Sequence, residues 1–78
     1  MLRDYFYSSN GKRLMCDTRF VPFPLGGNNY ETAVFRATKN GCVQKPSEPV
    51  EIVTSDNGKD AIKTHAGMIS KWSTNAVY

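Results

Sequence analysis

The sequence predicts an α+β fold: an antiparallel β-sheet of three to five strands that opens with an N-terminal hairpin, and one C-terminal α-helix packed on one face. Three observations carry this. Two strand-like runs flank Asn10-Gly11, a dipeptide that tolerates the positive φ angles of a tight hairpin turn. β-Branched and aromatic residues are dense in "YETAVFRA" and "VEIVTS". From Asp60 onward, apolar residues recur at intervals of three and four, the spacing of a helix face.

The first element is "LRDYFYSS-NG-KRLMCDTRF". With a two-residue loop it pairs Tyr7 with Leu14, Tyr5 with Cys16 and Arg3 with Thr18. Tyr5, Tyr7, Leu14 and Cys16 then make the inner face, while Leu2, Phe6 and Met15 lie outside among Asp4, Arg13, Asp17 and Arg19. A slip of one residue would exchange the faces, so the turn decides the assignment. In "VPFPLGGNN" the two prolines cannot donate ladder hydrogen bonds, which marks a connection carrying two apolar residues, Phe23 and Leu25. "YETAVFRA" is apolar on both sides and reads as a central strand. "TKNGCVQKPSEP" is a long turn around Asn40-Gly41 with a short extended piece at 42–44. "VEIVTS" is the last strand, with Val50 and Ile52 on one face and Val53 on the other. The helix follows, with Ile62, Met68, Ile69 and Trp72 as its packing face. Ser55 or Asp56 is the expected N-cap, and Asp60 and Lys71 suit the two ends of the helix dipole. Gly67 costs about 1 kcal/mol relative to Ala in a helix interior, so close backbone packing is expected there. "STNAVY" reads as a frayed tail.

Seventy-eight residues make one small domain, 1–78. Such a chain hides only about 60% of its unfolded surface, so the core must be thin and a partner or a second copy would add stability. The net charge is +3 and the pI about 9.0. Residues 1–45 hold seven of the ten Lys and Arg but three of the seven acids. That is a mild basic bias on the sheet half, short of the dense stripe of a committed nucleic-acid binder. Apolar runs are too short for a spanning helix, and charges near the N-terminus leave no room for a signal peptide. The expected location is the host-cell cytoplasm, with Cys16 and Cys42 reduced and partly buried.

Few constellations suit catalysis. One His, scattered acids and two distant cysteines supply neither a metal cluster nor a motif tying a nucleophile to a base. "PLGGNN" lacks the Lys-Ser/Thr and the helix of a phosphate loop. The expectation is no enzyme, no cofactor and no metal. His65 falls on the boundary of the helix stripe, as a packed ring bonded to a carbonyl or a sheet residue. The other reading is a pH-sensitive or partner-facing contact.

"YETAVFR" (Tyr30–Arg36), followed some 25 residues later by "DAIKTHAGMISKW" (Asp60–Trp72), resembles a widespread group of small phage and prophage proteins. These pair an aromatic-Glu-Thr-x-Val-Phe strand with a final helix carrying Ala, His and a Met-Val-type ending. The resemblance covers roughly residues 12–72. The chain departs from the pattern where Ala66-Gly67 follows His65, since the group has Gly before His. What the resemblance implies is origin in a phage or mobile element, where small proteins without catalytic motifs commonly bind and block a host component.

The expected function is therefore binding and inhibition of a host protein or protein–nucleic-acid complex, such as a CRISPR effector. The alternative is a small nucleic-acid-binding regulator, and a ligand-sequestering domain is a third. The expected partner-binding residues are Lys12 and Arg13 at the hairpin tip, Phe23 and Leu25 in the proline loop, and Lys39. Membrane association is not expected. The sequence leaves the oligomeric state open, since an unpaired outer strand could add to a twin across a two-fold axis.

Overall fold

The opening hairpin consists of Leu2–Tyr7 (β1) and Arg13–Phe20 (β2). Tyr30–Ala37 (β3), Val43–Gln44 (β4) and Glu51–Ser55 (β5) follow, then a single helix, Gly58–Ser73 (α1). This computed structural model describes residues 2–22 and 29–78. The sheet is antiparallel at every pairing, in the order β1-β2-β3-β4, with β5 also on β3. β4 meets the end of β3 at Arg36 and Ala37, and β5 meets its start at Tyr30–Val34. The two short strands thus behave as one edge strand interrupted at residues 45–50. Pro46 and Pro49 cannot donate there, and Lys45 turns the chain outward at φ +49. β3 is central, as its two-sided apolar pattern predicts.

The hairpin register differs from the sequence expectation by one residue. Ser8 N–H donates to Lys12 O at 2.9 Å and Gly11 N–H to Ser8 O at 3.0 Å, which closes a three-residue loop rather than a two-residue one. Only Gly11 takes a positive φ, +79, as this loop type requires. Tyr7 therefore pairs with Arg13, Tyr5 with Met15, Asp4 with Cys16 and Leu2 with Thr18. The inner face of β2 (Leu14, Cys16, Thr18) stands, but that of β1 is inverted: Leu2, Asp4 and Phe6 face the helix, and Tyr5 and Tyr7 face away. The β3–β4 turn repeats the design. Thr38 N–H donates to Cys42 O, Gly41 N–H to Thr38 O, and Gly41 has φ +84. In each turn the leading hydroxyl accepts the N–H four residues on, Ser8 from Lys12 at 3.0 Å and Thr38 from Cys42 at 3.1 Å.

Asn57, not Ser55 or Asp56, caps the helix: its Oδ1 accepts from Asp60 N–H at 2.9 Å. Ser55 instead ends β5, buried opposite Tyr30. Ala61, His65 and Met68 are the buried face, whereas Ile62 is 60% exposed and leaves the expected packing set. Gly67 has no neighbouring atom within 4 Å of where a Cβ would stand, so no close approach requires it. The core joins Leu14, Cys16 and Val34 of the sheet to Met68 and Val77, with Phe6, Val50, Val53, Ile69 and Trp72 around them. Val77 belongs to the stretch expected to fray. It is buried because Asn10 holds it, Nδ2 donating to Val77 O at 2.8 Å and Oδ1 accepting Val77 N–H at 3.1 Å. Ser9 N–H adds a bond to Asn75 O. The tail docks on the hairpin tip.

Candidate functional site

Three regions can be built from the residues upward. The first lies inside. The corrected register puts Asp4 beside Cys16 and Thr18 beside Thr32, all below His65 of α1. His65 Nε2 stands 2.7 Å from Asp4 Oδ2, and Nδ1 stands 2.7 Å from Thr18 Oγ1, which is 2.8 Å from Thr32 Oγ1. A carboxylate only accepts, so Nε2 donates to Asp4; in the tautomer with no hydrogen on Nδ1, that nitrogen accepts the Thr18 hydroxyl. Thr18 in turn accepts from Thr32. Cys16 Sγ lies 3.5 Å from the same Nδ1.

Asp4, His65 and Cys16 thus fall in the order acid, imidazole, thiol, which sequence reasoning did not assemble. Two facts argue against nucleophilic chemistry. The thiol is 0% exposed, and burial, then the Asp4 and Asp17 carboxylates, push it up to about 12, so it keeps its proton. Thr18 also occupies Nδ1 more closely than the sulfur does. Asp4 and Cys16 sit on opposite ring nitrogens, and no group of three or more His, Cys, Asp or Glu among the described residues could hold a metal ion. His65, 4% exposed, is a central packing residue rather than a boundary one, and it bonds sheet side chains. Cys42 is exposed, which corrects the expectation of two partly buried thiols, and both thiols are free.

The second region is the sheet face that α1 does not cover. Alternation places Arg3, Tyr5, Tyr7, Arg13, Met15, Asp17, Arg19, Glu31, Phe35 and Ile52 there. Tyr5, Tyr7 and Ile52 are 39%, 56% and 49% exposed. The Arg13 guanidinium carbon lies 5.1 Å from the Tyr5 ring centroid and 5.0 Å from that of Tyr7, within cation–π range of both. Tyr5 is fixed further by its hydroxyl, which donates to Gly41 O at 3.0 Å. Arg3–Asp17 and Arg19–Glu31 are surface ion pairs on the same face.

The third region is the end of the sheet where both glycine turns meet. Lys12 and Lys39 are exposed there, Arg13 begins β2, and Arg36, paired with Leu14, stands near the end of β3 on the other face. Three of the expected binding residues, Lys12, Arg13 and Lys39, are therefore brought to one end of the molecule, and Arg36 joins them. Phe23 and Leu25 lie outside the described residues. Val21 N–H donates to Asn29 O at 2.7 Å, just beyond the end of β2 and before the start of β3, at the end of the sheet opposite the glycine turns. The Tyr5–Tyr7–Arg13 cluster was missed because the two-residue turn pointed both tyrosines inward. Arg36 carried no signal, as a lone basic residue in a central strand.

No family model, curated protein or solved structure matches this chain. No helix among the described residues is long and apolar enough to cross a membrane.

Proposed function

We propose that this chain is a non-enzymatic protein of a phage or mobile element that acts in the host cytoplasm by binding and blocking a host protein, a defence component such as a CRISPR effector being the target class. The observation that carries the reading is the helix-free sheet face. It offers exposed tyrosines, an Arg held across them and an exposed Ile52, with ion pairs alongside. Tyr and Arg dominate the energetic centres of protein interfaces, because they bury much area at low entropic cost and keep a polar handle. Two of the three arginines on this face already have carboxylate partners, which favours a protein surface over a phosphate track. The origin in a mobile element rests on the resemblance of residues 30–36 and 60–72 described above.

The test is phage plating on bacteria with active CRISPR immunity, with and without this protein. Expression is expected to restore plaques, and Tyr7→Ala with Ile52→Ser to abolish the effect while circular dichroism stays native. Unchanged plating across a panel of defence systems would overturn the inhibitor reading. A second reading, nucleic-acid binding, is favoured by the aromatic–Arg cluster lying beside the basic end. It predicts retention on single strands that weakens steeply with salt.

A further inference from the structure

The two edges of the sheet are built differently. One is β4 and β5, broken at residues 45–50 by Pro46, Pro49 and the outward turn at Lys45, a form that discourages further pairing. The other is β1. Among the described residues it pairs only with β2, in a continuous register from Leu2 to Tyr7 with no bulge and no proline. It is exposed at every residue but the half-buried Phe6. The ladder sets which way its main-chain groups point. Ser8 N–H donates to Lys12 O, and bonded pairs recur at every second residue of an antiparallel pair, so Phe6, Asp4 and Leu2 turn theirs toward β2. The Val21–Asn29 bond gives the same alternation from the far side. It turns Arg19, Asp17 and Met15 to β3 and leaves Thr18, Cys16 and Leu14 for β1. Arg3, Tyr5 and Tyr7 therefore direct N–H and C=O away from the sheet, and none of these main-chain groups has a partner among the described residues. The Tyr5 side chain leaves the edge clear, since it leans back across β2 to Gly41 O.

We propose that β1 is the interface of a homodimer, in which β1 of a second copy pairs with it antiparallel across a two-fold axis at Tyr5. Unmet donors and acceptors along an extended edge call for another extended strand. A second copy supplies one of equal length with the same unmet groups, and the union closes: both open edges vanish, and only the proline-broken edges remain outside. Charge and the docked tail select the register. An axis at Asp4 would set the two Asp4 carboxylates directly opposite each other, which is destabilising. An axis at Phe6 would bring Arg3 against Ser9 of the second copy, whose N–H already donates to Asn75 O. With the axis at Tyr5, Arg3 faces the exposed ring of Tyr7 of the second copy, and Asp4 faces Phe6. The helix-free faces of the two copies then run on into one another, which brings Tyr5 and Tyr7 of both together. This dimer is independent of the host target proposed above, since it concerns only the isolated chain.

The experiment is sedimentation equilibrium of the purified full chain from micromolar to millimolar concentration, with amide hydrogen exchange by NMR at both ends of that range. A monomer–dimer equilibrium is expected. The Tyr5 and Tyr7 amides should gain protection as concentration rises, while those of Asp4 and Phe6 stay protected throughout. In a mixture of isotope-labelled and unlabelled chains, an intermolecular Overhauser contact is expected between the α-protons of Asp4 and Phe6, the closely facing pair in this register. Arg3→Pro keeps the ladder to β2, because it removes only an outward N–H, and deletes one bond between copies on each side of the axis. It is expected to weaken the dimer about tenfold. Tyr5→Glu keeps a favourable neighbour in Arg13 of its own chain but sets like charges across the axis, and should weaken the dimer as well. A chain that stays monomeric at millimolar concentration, a dimer whose Tyr5 and Tyr7 amides exchange at the monomer rate, or assembly beyond a dimer overturns the interface. So does undiminished association of natively folded Arg3→Pro and Tyr5→Glu variants. An Overhauser contact in another register overturns the axis at Tyr5.

Discussion

Cys16 and Cys42 are the same residue type in opposite surroundings, one sealed under His65 and one exposed on a turn. A thiol reagent should therefore label one cysteine at once and the second only after denaturant is added; rapid labelling of both would contradict the buried thiol. The raised Cys16 value also has a thermodynamic sign. The folded state keeps a proton that the unfolded chain releases near pH 9, so this contribution is intact below that pH and is lost as pH rises toward 12. Glu51 runs the other way. Trp72 Nε1 and Lys71 Nζ donate to its carboxylate at 2.9 and 3.0 Å, and these bonds hold it below the usual carboxylate range. Its stabilisation is present above the ordinary glutamate value and fades as pH falls through the lowered one. Acid unfolding followed by Trp72 fluorescence should lose part of its slope in Glu51→Gln. Little of this was legible in the sequence, because the partners of His65 and Glu51 are set by strand register and not by any local pattern. His65→Ala, which empties a buried position and removes the ring partner of the buried Thr18 hydroxyl, is expected to cost about 2–4 kcal/mol in urea unfolding.

Among the elements, the helix was the most legible, because its period and its end charges are local signals. Its details still moved. Ile62 fits the spacing but faces solvent, since Ala61 and His65 define the contact line with the sheet. Gly67 gains nothing from being glycine, so Gly67→Ala should raise stability by roughly 0.5–1 kcal/mol, visible as a higher urea midpoint at unchanged slope. Gly11 is the contrast: at φ +79 an alanine there should destabilise despite the open space around it. The hairpin was legible as a hairpin and illegible in register. Asn-Gly permits both a two- and a three-residue loop, and the choice fell to features outside the dipeptide. Ser8 Oγ captures the Lys12 N–H, and the Asn10 side chain is committed to Val77. The same Ser/Thr-x-Asn-Gly frame at Thr38–Gly41 gives the same loop, so the leading hydroxyl is the signal to read in such turns.

At the scale of the whole molecule, the α+β class followed from periodicity, and the thin core from length. What length could not reveal is how asymmetric the coverage is. One face of the sheet carries the helix, Val77 and the core; the other carries tyrosines and arginines in the open. The positive charges concentrate where the two glycine turns and the tail converge, a grouping that needs the topology and not the composition.

The Asn10–Val77 contact joins residues 67 positions apart, and it can form only when hairpin, sheet and helix already stand. Closing so long a loop carries an entropic cost that earlier contacts must offset, so these bonds belong after the rate-limiting step of folding. Asn10→Ala should then leave the refolding arm of a chevron plot unchanged and raise the unfolding arm, with unfolding several-fold faster for each kilocalorie removed. A slower refolding arm instead would place the contact in the folding nucleus. On this account the residues that looked like a loose end set the lifetime of the folded protein, and a protease or a competing partner that lifts Val77 shortens it before any strand has separated.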